Sequence, residues 1–155
     1  MLILSLDGSL SRTGYCIYDT EIKEFVEIGS IPTSSTKPLA YRLKQIYDKI
    51  CLLCVCYKFE EVVIEEPIVN IKRIKSTMQV HKALGIIHLA LLEFKINEIH
   101  NKTVKKYVTG NGNAKKNDVM QSIISKFPEL QYKIKNDDES DAVGVLLTYL
   151  QLLEV

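Results

Sequence analysis

Four carboxylates stand at positions where a folded protein usually avoids charge. Asp7 and Glu65 each close an apolar run, and Asp138 and Asp141 open an apolar helical stretch. An isolated buried carboxylate is costly, so such groups are generally paired, protonated or bound to metal. Oxygen ligands suit Mg²⁺, for which Mn²⁺ can substitute, and two such ions can drive phosphodiester hydrolysis. The four residues therefore predict a two-metal site that cuts a phosphodiester.

Each carboxylate also has a purely structural explanation. Asp7 could begin the turn that follows it, Asp137 or Asp138 could cap a helix, and Glu65 could be a solvated strand end. The joint placement of these residues at matching ends of elements favours a functional site. Whether Glu66 or Asp137 assists the metal ligands stays open.

The elements around these carboxylates follow an α/β pattern. Short apolar or alternating segments predict strands, and apolar residues spaced by three and four predict amphipathic helices. The strands fall at residues 2–6, 13–18, 24–31, 61–65 and 96–99, and the helices at 38–57, 76–94, on either side of the GNGN loop and from about 137 onward. This order predicts a single domain over residues 1–155, with a five-stranded mixed sheet whose first three strands are antiparallel and whose two faces carry helices.

The carboxylates are expected to meet at one edge of that sheet. If the first and fourth strands are parallel neighbours, their carboxyl ends place Asp7 beside Glu65 where α/β sheets bind ligands. Asp138 and Asp141 are three residues apart, so one helical face presents both of them. A helix that crosses this edge would complete an acidic pocket.

Basic residues are concentrated in two segments, although the formal net charge is only +1. Residues 67–92 contain four basic residues and no acidic one, and residues 101–120 contain five lysines against one aspartate. Such segments on an acidic remainder are typical of a surface that binds a polyanion. Two solvated surfaces would explain the same charge pattern equally well.

The cysteines and three aromatic residues are expected to serve the core. A Cys-x-x-Cys pair suggests zinc or redox chemistry, but no second pair or nearby histidine completes a metal site around Cys51, Cys54 and Cys56. These cysteines are therefore interpreted as small buried hydrophobes on a helix in a reducing cytosol. Stacking on unpaired bases is the alternative for the aromatic residues, but core packing is the favoured interpretation for each. These residues are Phe59, Tyr107 and Tyr132.

No segment of the sequence predicts secretion or a membrane span. The apolar start lacks a basic lead-in and a cleavage site, and the longest weakly charged stretch, at residues 83–92, is too short to cross a bilayer. We therefore expect a cytoplasmic protein that does not engage a membrane.

Four motifs resemble, in order, those of the RuvC-type Holliday junction resolvases, which belong to the RNase H-like nucleases. They are LSLDGSLSRTGYCIYD, VVIEEP, VKKYVTGNGNAKKNDV and DDESDAVGVLL. The resemblance covers essentially the whole chain. It implies an RNase H-like fold with Asp7, Glu65, Asp138 and Asp141 as catalytic metal ligands.

The resemblance also implies roles for basic residues. Lys105 and Lys116 match the family's two functional lysines, and Lys116 is expected to act in catalysis by neutralising charge on the phosphate. Because Lys116 follows the GNGNA loop, its ammonium is expected to reach the pocket of Asp7 and Asp141 only when DNA is bound. The expected DNA-binding residues are Lys72, Arg73, Lys75, Lys82, Lys105, Lys106 and Lys115.

The function implied by the resemblance is paired cleavage of four-way and other branched DNA by a Mg²⁺-dependent homodimer, which leaves 5′-phosphate and 3′-hydroxyl ends. The exposed part of helix 76–94 is the candidate dimer surface. Asp-Gly-Ser replaces the family's usual Asp-Pro-Gly, and residues 68–77 match only loosely. This divergence is typical of the phage-encoded branch, and it leaves a host branch-migration partner open.

Three other functions compete with this interpretation. An RNase H-like nuclease could act on forked or flap DNA or on structured precursor RNA. A sugar kinase could use the opening Asp-Gly-Ser hairpin as a phosphate loop, but 155 residues supply only one of the two lobes that such an enzyme needs. A non-catalytic junction binder would not require all four carboxylates.

Overall fold

A computed structural model describes residues 1–154 of the chain. One five-stranded sheet lies between two groups of helices. The strands are β1 (Leu2–Asp7), β2 (Arg12–Asp19), β3 (Glu24–Pro32), β4 (Glu61–Glu66) and β5 (Ile96–His100), and the helices are α1 (Leu39–Cys56), α2 (Ile74–Ala90), α3 (Asn101–Thr109), α4 (Lys116–Lys126) and α5 (Asp137–Leu153). Short 3₁₀ turns at Ile71–Arg73 and Pro128–Tyr132 precede α2 and follow α4.

The sheet is mixed, in the order β3-β2-β1-β4-β5. The hairpins make β1, β2 and β3 antiparallel, whereas β4 and β5 arrive through helical crossovers and run parallel to β1. The predicted α/β class, the strand number and the antiparallel first three strands are confirmed. Each predicted strand overlaps an observed one.

Each strand sends alternate side chains to two separate cores, because the side-chain period of a strand is two residues. In β1, Ile3 belongs to the core beneath α3, α4 and α5, whereas Leu4 and Leu6 belong to the core beneath α1 and α2. In β4, Val63 faces α5 and Ile64 faces the opposite side. This alternation fixes which face receives the residue that ends each strand.

Helix α2 ends earlier than its apolar spacing predicts. The helix stops at Ala90, and residues Leu91 to Phe94 form a turn closed by a hydrogen bond from the Phe94 amide to the Leu91 carbonyl, 2.9 Å. Leu91 is fully buried and Phe94 still packs on the same core. A turn that continues the direction of the helix keeps the apolar stripe intact, so the sequence pattern overestimates the length of the helix.

The core-packing interpretation of the aromatic residues is right for one of three. Phe59 is buried, and its ring packs against those of Tyr57 and Phe94. The interpretation is wrong for Tyr132, which is 87% exposed, and for Tyr107, which is 38% exposed. Tyr132 follows the buried Leu130 at the end of a 3₁₀ turn and points to solvent, since neighbouring positions of so tight a turn face different directions.

The cysteines differ from one another in burial. Cys16 lies in the sheet core, Cys51 and Cys54 are half-buried, and Cys56 is exposed. The expected burial of the helical cysteines is therefore only partial for Cys51 and Cys54 and is wrong for Cys56, which lies at the last turn of α1 on its outer surface. Within residues 1–154, no helix combines the length and apolar character needed to cross a bilayer.

Candidate active site

Asp7 and Glu65 project side by side from adjacent parallel strands. Leu6 pairs with Ile64 in the β1–β4 register, so the next residue of each strand lies at the same level. Asp7 lies on the same face of β1 as Ile3 and Ser5, because side chains alternate along a strand. On this face the Ser5 hydroxyl donates to the Ala142 carbonyl of α5, 2.8 Å. Both carboxylates therefore face the first turns of α5.

A glycine lets α5 approach the sheet closely at this point. Gly14 pairs with Asp7 in the β1–β2 ladder. A β-carbon on Gly14 would collide with the backbone carbonyl of Asp138 and would lie 3.0 Å from the amide nitrogen of Glu139. Because these atoms belong to backbone, they cannot rotate away. Gly14 is therefore the residue that allows Asp138 to lie over the end of β1.

The start of α5 is capped by Asn136, and not by the acidic residues that follow it. The Asn136 side chain accepts a hydrogen bond from the Glu139 amide, 3.1 Å. Asp137 and Asp138 occupy the first helical turn, where the helix dipole favours negative charge. Asp138 is thus free of a capping role, and one turn brings Asp141 onto the same face.

The purely structural explanations of Asp7, as the residue that begins a turn, and of Glu65, as a solvated strand end, do not hold either. The turn after Asp7 is held by Thr13, whose hydroxyl donates to the Ser9 carbonyl, 2.7 Å, and accepts from the Ser9 amide, 3.3 Å. Glu65 is half-buried and accepts a hydrogen bond from the Asn101 side-chain amide, 2.8 Å. A solvated strand end would have neither feature.

Lys116 places its ammonium among the carboxylates in the absence of DNA. Its Nζ atom donates to Asp141 Oδ2 at 2.8 Å, and the side chains of Lys116 and Asp141 are 56% and 15% exposed. Two contacts fix the start of α4 and with it this lysine: Ala114 is buried in the core, and the Lys115 amide donates to Asp118 Oδ2, 2.9 Å. The expectation that the ammonium enters the pocket only with DNA is therefore wrong.

The four carboxylates influence one another electrostatically. Burial raises the pKa of Asp7 well above its usual range, and the charges of Glu65, Asp141 and Asp138 raise it further while Lys116 opposes them. Burial likewise raises the pKa of Glu65 to about 7, against the hydrogen bond from Asn101 and the charge of Lys116.

Asp138 and Lys116 show the same competition between burial and neighbouring charges. Burial is the main cause that raises the pKa of Asp138, and the charge of Lys116 opposes it. Burial acts to lower the pKa of Lys116, but the hydrogen bond to Asp141 and the surrounding carboxylates raise it above its usual value. Negative charge is therefore in excess at this edge, and Lys116 only partly compensates it.

The donor set fits a hard divalent cation. Four carboxylates supply only oxygen ligands, and a cation would relieve the mutual repulsion that raises the pKa of Asp7. As the side chains of residues 1–154 stand, no group of three or more His, Cys, Asp or Glu is already closed around a metal position. Side-chain rotations would be required, with Lys116 yielding its place beside Asp141.

The other expected DNA-binding residues lie apart from this pocket, with one exception. Lys105 is half-buried on α3, and its charge lowers the pKa of Glu65, so this lysine belongs to the carboxylate site. The others are all exposed, in the 3₁₀ turn before α2, on α2 and at the ends of α3 and α4. These residues are Lys72, Arg73, Lys75, Lys82, Lys106 and Lys115.

Two residues of the site were missed at the sequence level. Asn101, the first residue of α3, orients Glu65 through its hydrogen bond, and Arg12, the first residue of β2, lowers the pKa of Asp138 by its charge. Arg12 precedes the Thr-Gly-Tyr motif, and its place next to the turn was an available signal. Asn101 had no comparable signal, because its role depends on where α3 begins relative to β4.

Sequence comparison decides the family. The family model described as Crossover junction endodeoxyribonuclease RuvC matches residues 3–149. The chain belongs to the RuvC family. RuvC proteins similar to it include those of Brevibacillus brevis, 32% identical over 97% of this chain and 92% of the relative, and of Brachyspira hyodysenteriae, 33% identical over 96% and 93%. RuvC nucleases are metal-dependent as a family.

RuvC structures share the fold of this chain. Thermus thermophilus RuvC, solved in complex with a Holliday junction substrate, superposes with a TM-score of 0.84 at 19% identity, over 99% of this chain and 94% of that one. The yeast mitochondrial Holliday junction resolvase gives a TM-score of 0.60 at 12% identity, over 96% and 77%. The predicted RNase H-like fold is confirmed. The phage-encoded branch stays a prediction.

Proposed function

We propose that this protein is a structure-selective endodeoxyribonuclease that resolves four-way junctions and other branched DNA by paired nicks. The observation that carries the proposal is the convergence of Asp7, Glu65, Asp138, Asp141 and Lys116 at one sheet edge in a chain of the RuvC family. Excess negative charge at the end of a parallel strand pair suits metal-assisted phosphoryl chemistry. We propose that the four carboxylates are the metal ligands and that Mg²⁺, two ions per site, is the metal, with Mn²⁺ able to substitute.

The bound ions would act as Lewis acids that activate a water molecule and polarise the scissile phosphate. The water oxygen would bond to phosphorus as the bond from phosphorus to the 3′ oxygen breaks, and a proton released by the water would go to the leaving 3′ oxygen, so that the products are a 5′-phosphate and a 3′-hydroxyl end. Lys116 supplies positive charge to the phosphoryl oxygens in the transition state, and Asn101 holds the orientation of Glu65. Lys105, beside Glu65, contacts the neighbouring backbone.

We propose that the protein acts as a homodimer through the outer face of α2. Ile74, Met78 and Leu89 lie on one stripe of this helix, and about half of each side chain is exposed. A two-fold axis through that stripe would set two active sites facing the two strands of a junction. Met78→Glu should therefore shift the protein to a monomer in sedimentation equilibrium, whereas Lys95→Glu, outside the stripe, should not.

The deciding experiment is cleavage of a synthetic four-way junction with Mg²⁺, followed by mapping of the nicks on all four strands. We expect two symmetric nicks that ligase can reseal. Forked DNA, flap DNA and structured RNA in parallel reactions test the alternative, a nuclease of the same fold with a different substrate. Faster cutting of forks or RNA than of junctions would overturn the proposed specificity.

The place of action follows from the substrate. We propose that the protein works in the cytoplasm, or in the host cytoplasm if a phage encodes it, because branched DNA intermediates arise there.

A further inference from the structure

A groove runs over the outer surface of α3 and α4, beyond the carboxylate site. Three adjoining depressions form it, with volumes of about 550, 490 and 170 Å³, and Tyr107 lines all three. Lys102 and Lys106 line the first depression, and Lys126 lines the other two. Among the described residues that line these depressions there is no aspartate or glutamate.

The three lysines carry charge that no protein group neutralises. Within residues 1–154, none of them forms an ion pair with a carboxylate, and the one polar contact is from Lys126 Nζ to the Val108 carbonyl, 3.4 Å. All three side chains are exposed. Three unpaired ammonium groups along one groove attract a ligand that itself carries a row of negative charges.

The groove is continuous with the rim of the carboxylate site. Helix α3 begins at Asn101, which bonds to Glu65, and the next residue is the first lysine of the groove. Gly112, in the loop that leads to Lys116, packs closely against the same lysine. A β-carbon on this glycine would lie 3.3 Å from the Lys102 carbonyl oxygen. A strand that leaves the active centre over α3 would therefore enter the groove directly.

The lysines of α3 lie on two different faces of the helix. Lys105 turns toward Glu65, whereas Lys102 and Lys106, one turn apart, line the groove. Tyr107 lies between these lysines and Lys126 and is 38% exposed. A partly exposed aromatic ring among lysines is typical of surfaces that follow a nucleic-acid strand, because the ring packs on a sugar or base while lysines contact phosphates.

We propose that this groove binds the sugar-phosphate backbone of a DNA strand that leaves the active centre, with phosphates at Lys102, Lys106 and Lys126 and with Tyr107 against a sugar or base. The inference rests on the proposed function and adds to it a second contact surface, on the side of the molecule away from α2. An acidic peptide would satisfy the charges but gives no role to the aromatic ring between them.

A charge-matched pair of triple variants tests the groove. Lys102→Gln, Lys106→Gln and Lys126→Gln remove the charges of the groove, and Lys23→Gln, Lys58→Gln and Lys95→Gln remove three exposed charges at the opposite end of the sheet. Junction binding is measured in EDTA over a range of salt concentrations. Each lost phosphate contact lowers the log-log salt slope by about 0.9, so we expect a decrease of about 2 to 3 for the groove variant alone.

The outcomes separate the groove from the proposed function. If both triple variants bind the junction alike while the unmodified protein cuts it, the groove inference is wrong and the proposed function stands. If the unmodified protein neither binds nor cuts branched DNA, the proposed function and the groove fall together. Circular dichroism confirms that both variants are folded.

A photoreactive amino acid at position 107 identifies what occupies the groove. We expect it to crosslink to junction DNA, whereas the same amino acid in place of Tyr41, an exposed residue on α1, should not. A crosslink from position 107 to a second copy of the chain, with none to DNA, would show that this surface is a protein interface and would overturn the inference.

Discussion

Gly14 lies opposite Asp7 in the β1–β2 ladder and directly beneath the backbone carbonyl of Asp138. This contact joins two carboxylates that are more than 100 residues apart in the sequence. A side chain on Gly14 would separate α5 from the sheet at the point where the two meet. The close approach at Gly14 is therefore a condition for the whole acidic cluster.

Gly14→Ala should lower both stability and cleavage. Overpacking against backbone typically costs about 1–3 kcal/mol, because the helix must shift to make room. Gly29→Ala is a comparison on the neighbouring strand, since its β-carbon would meet side-chain atoms of the buried Tyr15, the hydroxyl oxygen at 2.5 Å, and a side chain can shift where backbone cannot. Urea unfolding should show the larger loss for Gly14→Ala. An equal or larger loss for Gly29→Ala would contradict the role assigned to Gly14.

Asp7→Asn should lower the cleavage rate by several orders of magnitude while the protein stays folded and binds junctions. The amide keeps the shape of the side chain but removes a negative ligand for the metal. Junction affinity is expected to stay the same or to increase, because one charge that repels phosphate is gone. Asp48→Asn, at an exposed residue on α1 away from the cluster, is the control and should cut at nearly the normal rate. Normal cutting by Asp7→Asn would show that Asp7 is not a ligand that the reaction needs.

The placement of Asp7 and Glu65 could be predicted from sequence because it depends on short-range rules. Each residue ends an apolar strand, alternation assigns it a face, and parallel neighbours end at the same edge. Asp138 and Asp141 follow from helical spacing in the same way. Local periodicity was therefore enough to predict the positions of most of the carboxylates, and the resemblance to the RuvC family supplied their function.

The rest of the site depends on contacts between elements that no local pattern encodes. Asn101 reaches Glu65 only because α3 starts directly after β5. The position of Lys116 depends on the buried Ala114, which ties the loop before α4 to the core. Exposure of Tyr107 was missed for a related reason, since a tyrosine on an amphipathic helix can face either the core or the groove beside it.

The metal-free protein should lose stability as pH rises from about 4.5 to about 7. The pKa of Glu65 is about 7 in the folded state, above the value of 4.5 that applies to the unfolded chain. A raised carboxyl pKa means that the folded state binds more protons in this interval, so the free energy of unfolding falls with increasing pH. The destabilisation is absent below pH 4.5 and complete above about pH 7.

Glu65→Gln should remove that destabilisation. The variant should be more stable than the unmodified protein by about 1–3 kcal/mol at pH 7.5 in EDTA, and equal to it near pH 4. Urea unfolding at several pH values measures the difference. A difference between the two proteins that does not change with pH would show that Glu65 titrates normally.

Added Mg²⁺ should stabilise the unmodified protein and have less effect on Glu65→Gln. A ligand that binds only the folded state raises the melting temperature in proportion to the logarithm of its concentration above Kd. The neutral amide is a weaker ligand than the carboxylate, so the variant should need more Mg²⁺ for the same shift. Thermal unfolding monitored by circular dichroism gives this result without any cleavage assay. Identical Mg²⁺ responses would argue against Glu65 as a ligand.

Lys116→Ala should lower single-turnover cleavage by roughly 100- to 1,000-fold, the usual effect of removing one electrostatic stabiliser of a transition state. The ammonium lies 2.8 Å from Asp141 Oδ2 before DNA arrives, so the start of α4 already holds this lysine at the carboxylate site. Lys95→Ala, at an exposed residue at the opposite end of the sheet, should cut normally. Lys116→Arg, which keeps the charge, should recover part of the lost rate.

The pH dependence of cleavage should distinguish how Lys116 acts. Its charge lowers the pKa of Asp7 and of Glu65, so its removal should raise both pKa values and move the rising limb of the rate profile to higher pH. If Lys116 also stabilises the phosphate in the transition state, the rate on the plateau at high pH will stay low. If the cleavage rate at high pH equalled that of the unmodified protein, the role of Lys116 would be only to keep the carboxylates ionised. Equal and small losses for Lys116→Ala and Lys95→Ala at all pH values would place it outside the reaction altogether.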